Sequence, residues 1–247
     1  MNDAWNVRTT DNPLVRRAGR ILAAVNARHP WNHNAHFHPW ILRHLPTGTA
    51  RVLDVGCGRG DLVAALAGAL GPGGQVEGID PDPEMAFASA TRFAPPSPVR
   101  IRRRTLAEHA ALPEHAEHYD AVTMVASLHH MELDAALGHA RALLRPGGRL
   151  LVVTLTRPVT TCDQVWDLAG VVTNPLIGLA KHPRPARSAE PGPTVPVRKA
   201  AWSLGTLREQ AGVLLPGAVI RRREGFRATL RWRKPGEAAL SPRRAGR

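Results

Sequence analysis

Short apolar runs rich in β-branched residues alternate with amphipathic segments through the middle of the chain. Apolar residues between these runs recur at helical spacing, and Gly- and Pro-containing clusters mark where the helices end. The runs, which are typical of buried strands, lie at residues 52–55, 76–79, 99–103, 119–125 and 149–155. This alternation predicts an α/β fold with a mostly parallel sheet.

The segments before and after these alternating strands and helices have other patterns. Residues 14–25 place apolar side chains at helical spacing after Asn12 and Pro13, which predicts an amphipathic helix. Residues 29–40 form an aromatic segment that is rich in histidine. Its histidines are His29, His33, His36 and His38.

The C-terminal third is less regular. Residues 163–179 predict one or two helices, the proline-rich stretch 182–196 predicts a loop, and residues 202–211 predict a further helix. A period-two pattern over residues 226–233 predicts a strand with one wet face. In that strand Phe226, Ala228, Leu230 and Trp232 alternate with Arg227, Arg231 and Arg233.

A glycine-rich turn joins the first strand to the first helix in the stretch RVLDVGCGRGDL, residues 51–62. Its glycines allow a sharp bend and bring a ligand close to backbone N–H groups at a helix N-terminus. Asp61 stands where a dinucleotide fingerprint requires its third glycine. Asp54 would repel a pyrophosphate and attract an ammonium group, and Asp80, at the end of the next strand, can accept hydrogen bonds from a ribose diol.

Four segments in this order resemble class I S-adenosylmethionine-dependent methyltransferases: DVGCGRG, GIDPD, YDAVTMVASLHHM and LLRPGGRLLVV. The resemblance covers residues 31–158 and is to bacterial small-molecule enzymes of the methyltransferase 11 and 12 type. It implies a Rossmann-like, seven-stranded, mostly parallel sheet with helices on both faces, a closing antiparallel hairpin and an N-terminal helical lid. It also implies S-adenosylmethionine as cofactor and S-adenosylhomocysteine as product.

This resemblance gives each part of the chain an expected role. The expected parts are a lid at 1–45, a cofactor-binding core at 46–155, a substrate-side insertion at 156–200, a C-terminal helix and hairpin at 201–235, and a disordered tail at 236–247.

The expected cofactor contacts follow the carboxyl ends of successive strands. Many relatives carry an acid after the third strand that binds the adenine amino group, whereas this chain has Arg104, Thr105 and Leu106. The Thr105 hydroxyl or backbone groups are then expected to bind adenine. The full set is Asp54, Gly56, Cys57, Gly58, Gly60, Asp61, Asp80, Pro81, Thr105, Leu106, Ala126 and Ser127.

Histidines are the candidates for acid–base chemistry at the methyl acceptor. His129 and His130 follow the fourth strand and are expected nearest to the transferred methyl group, with one of the adjacent pair facing the substrate and the other pointing away. Histidine titrates near neutral pH and can take a proton from a hydroxyl or an acidic carbon. The next candidate bases are His33, His36 and His38 in the lid, and the expected substrate contacts there are Trp31, His36, Phe37 and His38. We expect no metal, because the histidines in the lid are irregularly spaced and no cysteine or carboxylate accompanies them.

The formal net charge of +13 suggests nucleic-acid binding, yet 30 of the 33 basic residues are arginines, many of them scattered, which favours a solvated surface. The only two cysteines are Cys57 in the turn and the distant Cys162, so a disulfide framework is not expected. No secretion signal or apolar span of membrane length is visible, so we expect a cytoplasmic protein without integral membrane association, as a monomer or homodimer.

The sequence therefore predicts a methyltransferase that acts on a small molecule by in-line displacement, with histidine as a general base. One alternative is an RNA or other nucleic-acid methyltransferase, although the Asn/Asp-Pro-Pro-aromatic tetrad of the exocyclic-amine enzymes is replaced here by SLHH, at residues 127–130. A non-catalytic cofactor-binding protein is a second alternative. A nicotinamide oxidoreductase is disfavoured by Asp54 and Asp61. The pattern leaves the identity of the acceptor open, and whether its acceptor atom is O, N, C or S.

Overall fold

A computed structural model describes residues 32–93, 95–181, 184, 200–224 and 227–236. The predicted helix at 14–25, Trp31, most of the predicted loop at 182–196, Phe226 and the tail after residue 236 lie outside these residues.

Seven strands and seven α-helices make up the described structure. The strands are β1 Arg51–Val55, β2 Gln75–Asp80, β3 Val99–Arg103, β4 Tyr119–Val125, β5 Leu144–Leu155, β6 Val219–Arg223 and β7 Arg227–Arg233. The helices are α1 His38–Arg43, α2 Asp61–Ala69, α3 Pro83–Arg92, α4 Leu106–Ala110, α5 Leu133–Leu143, α6 Thr161–Lys181 and α7 Leu204–Leu214. Short 3-10 turns occupy Ala35–Phe37, Pro113–His115 and Leu128–His130.

The strands form one sheet in the order β3-β2-β1-β4-β5-β7-β6. Strands β1 to β5 are parallel, and β7 lies antiparallel between β5 and β6. This confirms the predicted mostly parallel sheet and its closing hairpin. The strand order reverses beside β1, which pairs with both β2 and β4, and open α/β sheets bind ligands beyond the carboxyl ends of the strands at such a point.

The two faces of the sheet are covered by different helices. Along β5, Leu150 and Val152 belong to a core that includes residues of α5 and α7, whereas Leu151 and Val153 belong to a second core that includes residues of α1 and α2. Successive side chains of a strand point to opposite faces. A strand that is buried on both faces therefore appears in the sequence as a continuous apolar run.

The segment 163–179 belongs to the single helix α6, one of the two arrangements that the sequence predicted. Two other features differ from the sequence-based expectation. Strand β5 begins at Leu144, before the Pro-Gly-Gly turn signal, because the chain bulges between the pairs Tyr119–Leu144 and Ala121–Arg149 and then resumes pairing. Arg227, expected on the wet face of β7, is half-buried, while Arg231 and Arg233 are exposed.

Candidate active site

The glycine turn is held in place by hydrogen bonds to β2 and by close packing against Ser127. The N–H groups of Gly56 and Cys57 both donate to the carbonyl of Ile79, with N···O distances of 2.8 and 3.1 Å. Gly56 has a φ of +72°, and a Cβ there would lie 2.4 Å from the Cβ of Ser127. Gly58 has a φ of +52°, but a Cβ there would meet nothing within 4 Å. Packing against the end of β4 therefore requires glycine at position 56, whereas open space lies beside Gly58.

The carboxylate of Asp80 connects the glycine turn to the turn that follows β2. Its Oδ2 accepts a hydrogen bond of 2.9 Å from the N–H of Gly58, and its Oδ1 accepts one of 2.9 Å from the N–H of Asp82. Asp82 in turn caps α3 by accepting from the N–H groups of Glu84 and Met85. The buried Asp80 carboxylate thus lies at the carboxyl ends of β1 and β2, where a ribose diol was predicted to bind, and the exposed Pro81 follows it.

Asp54, near the end of β1, is a buried carboxylate. Burial raises its pKa to about 7, a hydrogen bond of 2.7 Å from the hydroxyl of Thr123 opposes that rise, and the nearby charge of Asp80 adds to it. A cation placed beside Asp54 would favour its ionised form. Thr123 was not singled out from the sequence, although a polar residue inside the apolar run of β4 is a visible signal.

The residues that follow β4 are hydrogen-bonded to β1 and β5. Ser127 donates from its hydroxyl to the carbonyl of Val55 over 2.6 Å, and the N–H of Ala126 donates to the carbonyl of Val153 over 2.7 Å. Ala126 has a φ of +56°, a conformation that costs a non-glycine residue about 1–2 kcal/mol. Strain of this kind is concentrated at functional sites.

The cysteine of the turn is inert. Burial raises the pKa of the Cys57 thiol, and the charges of Asp54 and Asp80 raise it further. The thiol therefore stays protonated at neutral pH, which fits a small turn residue and not a nucleophile.

Other predicted cofactor residues already have partners within the protein. The Thr105 hydroxyl accepts from the N–H of Glu108 over 3.2 Å and donates to its carboxylate over 2.9 Å, which forms a capping box on α4. Leu106 is buried in the core. Asp61 is exposed and lies 2.7 Å from a guanidinium nitrogen of Arg92, and Gly60 is the residue that precedes α2.

The predicted catalytic histidines lie together in the 3-10 turn after β4. Their ring centroids are 4.1 Å apart, so the expectation that the adjacent side chains point apart is wrong, because both belong to one tight turn and not to a strand. His129 is buried and His130 is exposed. Burial lowers the pKa of His129 to about 4, and the charges of His130 and Arg227 lower it further. No described residue bonds to its buried Nδ1 atom.

The described residues of the predicted lid lie against the hairpin of β6 and β7. Nη2 of Arg227 donates to Oδ1 of Asn34 over 2.7 Å, and Nε2 of His36 lies 2.8 Å from Oε1 of Glu224. Burial lowers the pKa of His33 to about 4, with Arg227 and then His36 adding to the effect. This group, Asn34 with His33, His129 and Arg227, is called the acceptor-side cluster below. Asn34 and Arg227 were not predicted as site residues.

The other predicted lid contacts point in different directions. Phe37 is buried in the core that also contains Ile41. Burial lowers the pKa of His38, against the opposing charge of Asp61, which places His38 near the start of α2.

Comparison with known proteins decides the family. Residues 53–150 match the family model of a methyltransferase domain. An uncharacterized methyltransferase of Mycobacterium tuberculosis (strain ATCC 25618 / H37Rv) is 35% identical over 211 residues, which cover 83% of this chain and 98% of that protein. The chain belongs to the methyltransferase family. It is a class I S-adenosylmethionine-dependent enzyme, as the resemblance in the sequence indicated.

Two further relatives show how far the likeness extends. A ubiquinone biosynthesis O-methyltransferase of Xylella fastidiosa (strain 9a5c) is 39% identical over 119 residues, which cover 48% of this methyltransferase and 47% of that enzyme. The structure of a Burkholderia thailandensis 1,6-didemethyltoxoflavin-N1-methyltransferase with bound S-adenosylhomocysteine has a TM-score of 0.52 at 18% identity and covers 92% of each chain. The second likeness concerns the fold alone.

The residues at the carboxyl ends of β1 and β2 fit the cofactor type that the family implies. Gly58 leaves space for a close ligand, and Asp54 offers a buried carboxylate that an ammonium group would satisfy. None of the described helices combines the length and apolar character that a membrane crossing requires.

One group of possible metal ligands was missed by the sequence analysis. Within the described ranges, only Glu77, His109 and His115 bring three such donor atoms within 4.8 Å of one another. The hydroxyl of Tyr119 lies 2.7, 2.8 and 3.3 Å from these residues and links them by hydrogen bonds at the start of β4, opposite the carboxyl edge of the sheet. Nδ1 of His109 is buried and has no partner among the described residues. The expectation of no metal stays a prediction.

Proposed function

We propose that this methyltransferase transfers the methyl group of S-adenosylmethionine to a small molecule bound against the acceptor-side cluster. One observation carries the proposal: the cofactor-type residues of β1 and β2 and the acceptor-side cluster share the carboxyl edge of one sheet. The hydrogen bond from Ser127 to the carbonyl of Val55 joins the two regions. A molecule at the end of β4 would therefore lie beside a cofactor that occupies the ends of β1 and β2.

The chemistry requires alignment above all. S-adenosylmethionine supplies an electrophilic methyl carbon, and holding two reactants in line contributes about 7–11 kcal/mol to the lowering of the barrier. In the proposed complex, Asp54 pairs with the ammonium group of the cofactor. Asp80 accepts hydrogen bonds from the ribose diol while it holds Gly58 and Asp82 in place.

His129 is the favoured candidate for a proton acceptor. It is buried at the end of β4, its pKa of about 4 keeps it neutral at pH 7, and no described residue bonds to its Nδ1 atom. A neutral imidazole can accept a proton or a hydrogen bond from an acceptor hydroxyl. A base with so low a pKa is weak, so the larger share of its effect would come from orienting the acceptor.

Calorimetry on the full chain tests the cofactor half of the proposal. We expect S-adenosylmethionine and S-adenosylhomocysteine both to bind, and Asp80→Ala to weaken both by about 100-fold, because each hydrogen bond to a charged group contributes about 1.5–3 kcal/mol. Asp82→Ala is the matched control, since it removes a neighbouring carboxylate that accepts only from α3 and costs helix stability. If neither molecule binds the wild type, or if both variants lose affinity equally, the proposed site is wrong.

Transfer of a labelled methyl group tests the acceptor half. We expect label from S-adenosylmethionine to enter the small-molecule fraction of a cell extract and not its RNA. His129→Gln should lower the rate while the calorimetric affinity for S-adenosylhomocysteine is retained. Label found in RNA would establish the nucleic-acid alternative, and binding without transfer to any fraction would favour a non-catalytic role.

A further inference from the structure

A cavity of about 310 Å³ lies between β5, β6 and β7, away from the carboxyl ends of the parallel strands. Its lining consists of Arg149, Gly217, Val219, Arg231, Trp232 and Arg233. Arg149 pairs with Ala121 near the start of β4, and Arg233 is the last residue of the antiparallel β7. Since Arg227 is the first residue of β7, about 20 Å of strand separates it from Arg233, at about 3.3 Å per residue. The cavity is therefore remote from the proposed active site.

The strand register places three guanidinium groups on one face of the sheet. Arg149 of β5 pairs directly with Arg233 of β7, and Arg231, two residues before Arg233, lies on the same face of β7. Directly opposed residues have their Cβ atoms about 4.5–5.5 Å apart, and like charges in such a pair destabilise a sheet. The fold thus holds together three cations that repel one another, and an anion between them would offset that repulsion.

Two of these arginines are oriented by backbone carbonyl groups. Nη1 of Arg149 donates to the carbonyl of His44 over 2.8 Å, and Nε of Arg233 donates to the carbonyl of Gly147 over 3.2 Å. Each of these bonds uses one of the five N–H groups of a guanidinium. The guanidinium of Arg231 makes no hydrogen bond to another residue that the structure describes. Most of the donors in the cavity are therefore available to a ligand.

The acidic residues beside the start of β4 are paired with other cations. Asp120 forms an ion pair with Arg145, and Oε1 of Glu117 lies 2.8 Å from Nζ of Lys234. Across the described part of the chain, no carboxylate forms an ion pair with any of the three arginines of the cavity. Arginine keeps its charge at neutral pH, so the cavity concentrates three positive charges without a balancing carboxylate.

We propose that this cavity is a second binding site, which takes a small molecule that carries a phosphate or diphosphate group. A planar guanidinium binds phosphate oxygens through two parallel N–H donors, and three of them together match a group with more than one negative charge. Val219, which pairs with Arg231, is an exposed apolar residue that the carbon part of such a molecule can contact.

The shape of the site favours a small ligand over a macromolecule. Small-molecule sites occupy about 300–1,000 Å³, and this cavity lies at the lower end of that range. Two walls of the cavity come from neighbouring strands, so the arginines face a recess and not an extended surface of the kind that a membrane or a nucleic acid would cover. The site is also independent of the proposed function, because it shares no residue with the cofactor region or the acceptor-side cluster.

Calorimetry on the full chain at fixed salt, with pyrophosphate as the probe, tests the proposal. We expect saturable binding in the wild type and a loss of affinity of about tenfold or more in both Arg231→Gln and Arg233→Gln, because each variant removes a charged donor. Arg100→Gln is the matched control, since Arg100 is exposed on β3, at the far edge of the sheet, and its replacement lowers the net charge equally. We expect that control to change the affinity by less than about twofold.

Further measurements separate a built site from general attraction to a basic protein. Arg231→Lys keeps the charge but loses the two parallel donors, so we expect an intermediate loss, and urea unfolding checks that each variant folds. Saturating S-adenosylhomocysteine should leave the affinity for pyrophosphate unchanged, whereas competition between the two would place pyrophosphate at the glycine turn and overturn the proposal.

Three other outcomes would also overturn it. The first is no saturable binding of pyrophosphate to the wild type, and the second is an equal loss of affinity in Arg100→Gln and Arg231→Gln, which would show a response to net charge alone. The third is binding of an RNA oligonucleotide or a phosphatidylglycerol vesicle that depends on Arg231 and Arg233 while pyrophosphate does not bind. That result would assign the same arginines to a macromolecular surface.

Discussion

The two regions along the carboxyl edge of the sheet are built in different ways. In the proposed cofactor region, Asp54, the glycine turn and Asp80 come from two consecutive strands, and hydrogen bonds join the turn to the second strand, such as the one from the N–H of Gly58 to the carboxylate of Asp80. In the acceptor region, Asn34 and Arg227 meet across 193 positions of sequence, and His129 comes from a third segment. The residues of the first region lie close together in the sequence, whereas those of the second are brought together only by the fold.

This difference fits what each region has to recognise. A unit that comes from one short stretch of sequence and is joined by its own hydrogen bonds changes little when the segments around it change, which suits a cofactor that stays the same. A region assembled from a lid, a turn and a hairpin can be altered one segment at a time without disturbing the sheet. The acceptor specificity of this methyltransferase should therefore depend on the lid and the hairpin, and its cofactor affinity on β1 and β2.

The largest expected effect tests how rigid the cofactor region is. Gly56→Ala should lower the free energy of unfolding by about 3 kcal/mol, because a left-handed non-glycine residue costs about 1–2 kcal/mol and overpacking against Ser127 adds about 1–3 kcal/mol. Gly58→Ala, with the same handedness and nothing within 4 Å of the new Cβ, should cost only about 1 kcal/mol. Urea unfolding measures both.

Cofactor affinity should rank the same two variants in the opposite order from their stability. Since the open space lies beside Gly58, Gly58→Ala should weaken S-adenosylhomocysteine binding measurably in calorimetry, despite its small cost in stability. Equal losses of stability in the two variants would show that the turn yields to an added methyl group. The cofactor region would then be no more rigid than the acceptor region.

The proposed cofactor region could be predicted from the sequence because its signals are local. The apolar runs, the glycines and the two aspartates all lie within about thirty positions, and the closing antiparallel hairpin of the sheet followed from the family resemblance. The capping box of Thr105 and Glu108 was also visible as a Thr-x-x-Glu pattern, and it assigns the hydroxyl a structural role.

The acceptor region could not be captured in the same way. Alternation along β7 placed Arg227 with Arg231 and Arg233 on the wet face, because a period-two pattern describes one strand and not what packs over its end. Asn34 reaches Arg227 only once the segment that contains Asn34 packs against the hairpin of β6 and β7. No short-range signal encodes that contact.

The next effect concerns the pH dependence of the cofactor region. Asp54 has a pKa of about 7, and a cofactor cation beside it favours the carboxylate, so binding releases a proton and affinity falls as the pH drops below 7. S-adenosylmethionine affinity should fall about 50-fold from pH 7 to pH 5, which equals about 2.3 kcal/mol. Calorimetry in buffers of different ionisation enthalpy measures both the affinity and the proton release.

Two features allow a change in affinity between pH 7 and pH 5 to be assigned to Asp54. His33 and His129, with pKa values of about 4, stay neutral from pH 7 to pH 5, so the acceptor-side histidines contribute little to the change. Asp54→Asn should bind more weakly at pH 7 and show no comparable dependence on pH. A pH profile that persists in Asp54→Asn would assign the titration to another group.

The smallest effect decides whether Thr105 belongs to the cofactor region at all. Thr105→Ala removes the capping box of α4 and should lower the free energy of unfolding by about 1 kcal/mol, while S-adenosylhomocysteine affinity changes by less than about twofold, because Glu108 already takes the hydroxyl proton. Ser203→Ala is the matched control, since Ser203 caps α7 by accepting from the N–H of Thr206 and is not one of the predicted cofactor residues. Both variants should lose similar stability in urea. If Thr105→Ala alone weakens the cofactor about tenfold and Thr105→Ser restores it, the hydroxyl binds adenine as the sequence suggested, and the cofactor region extends to the end of β3.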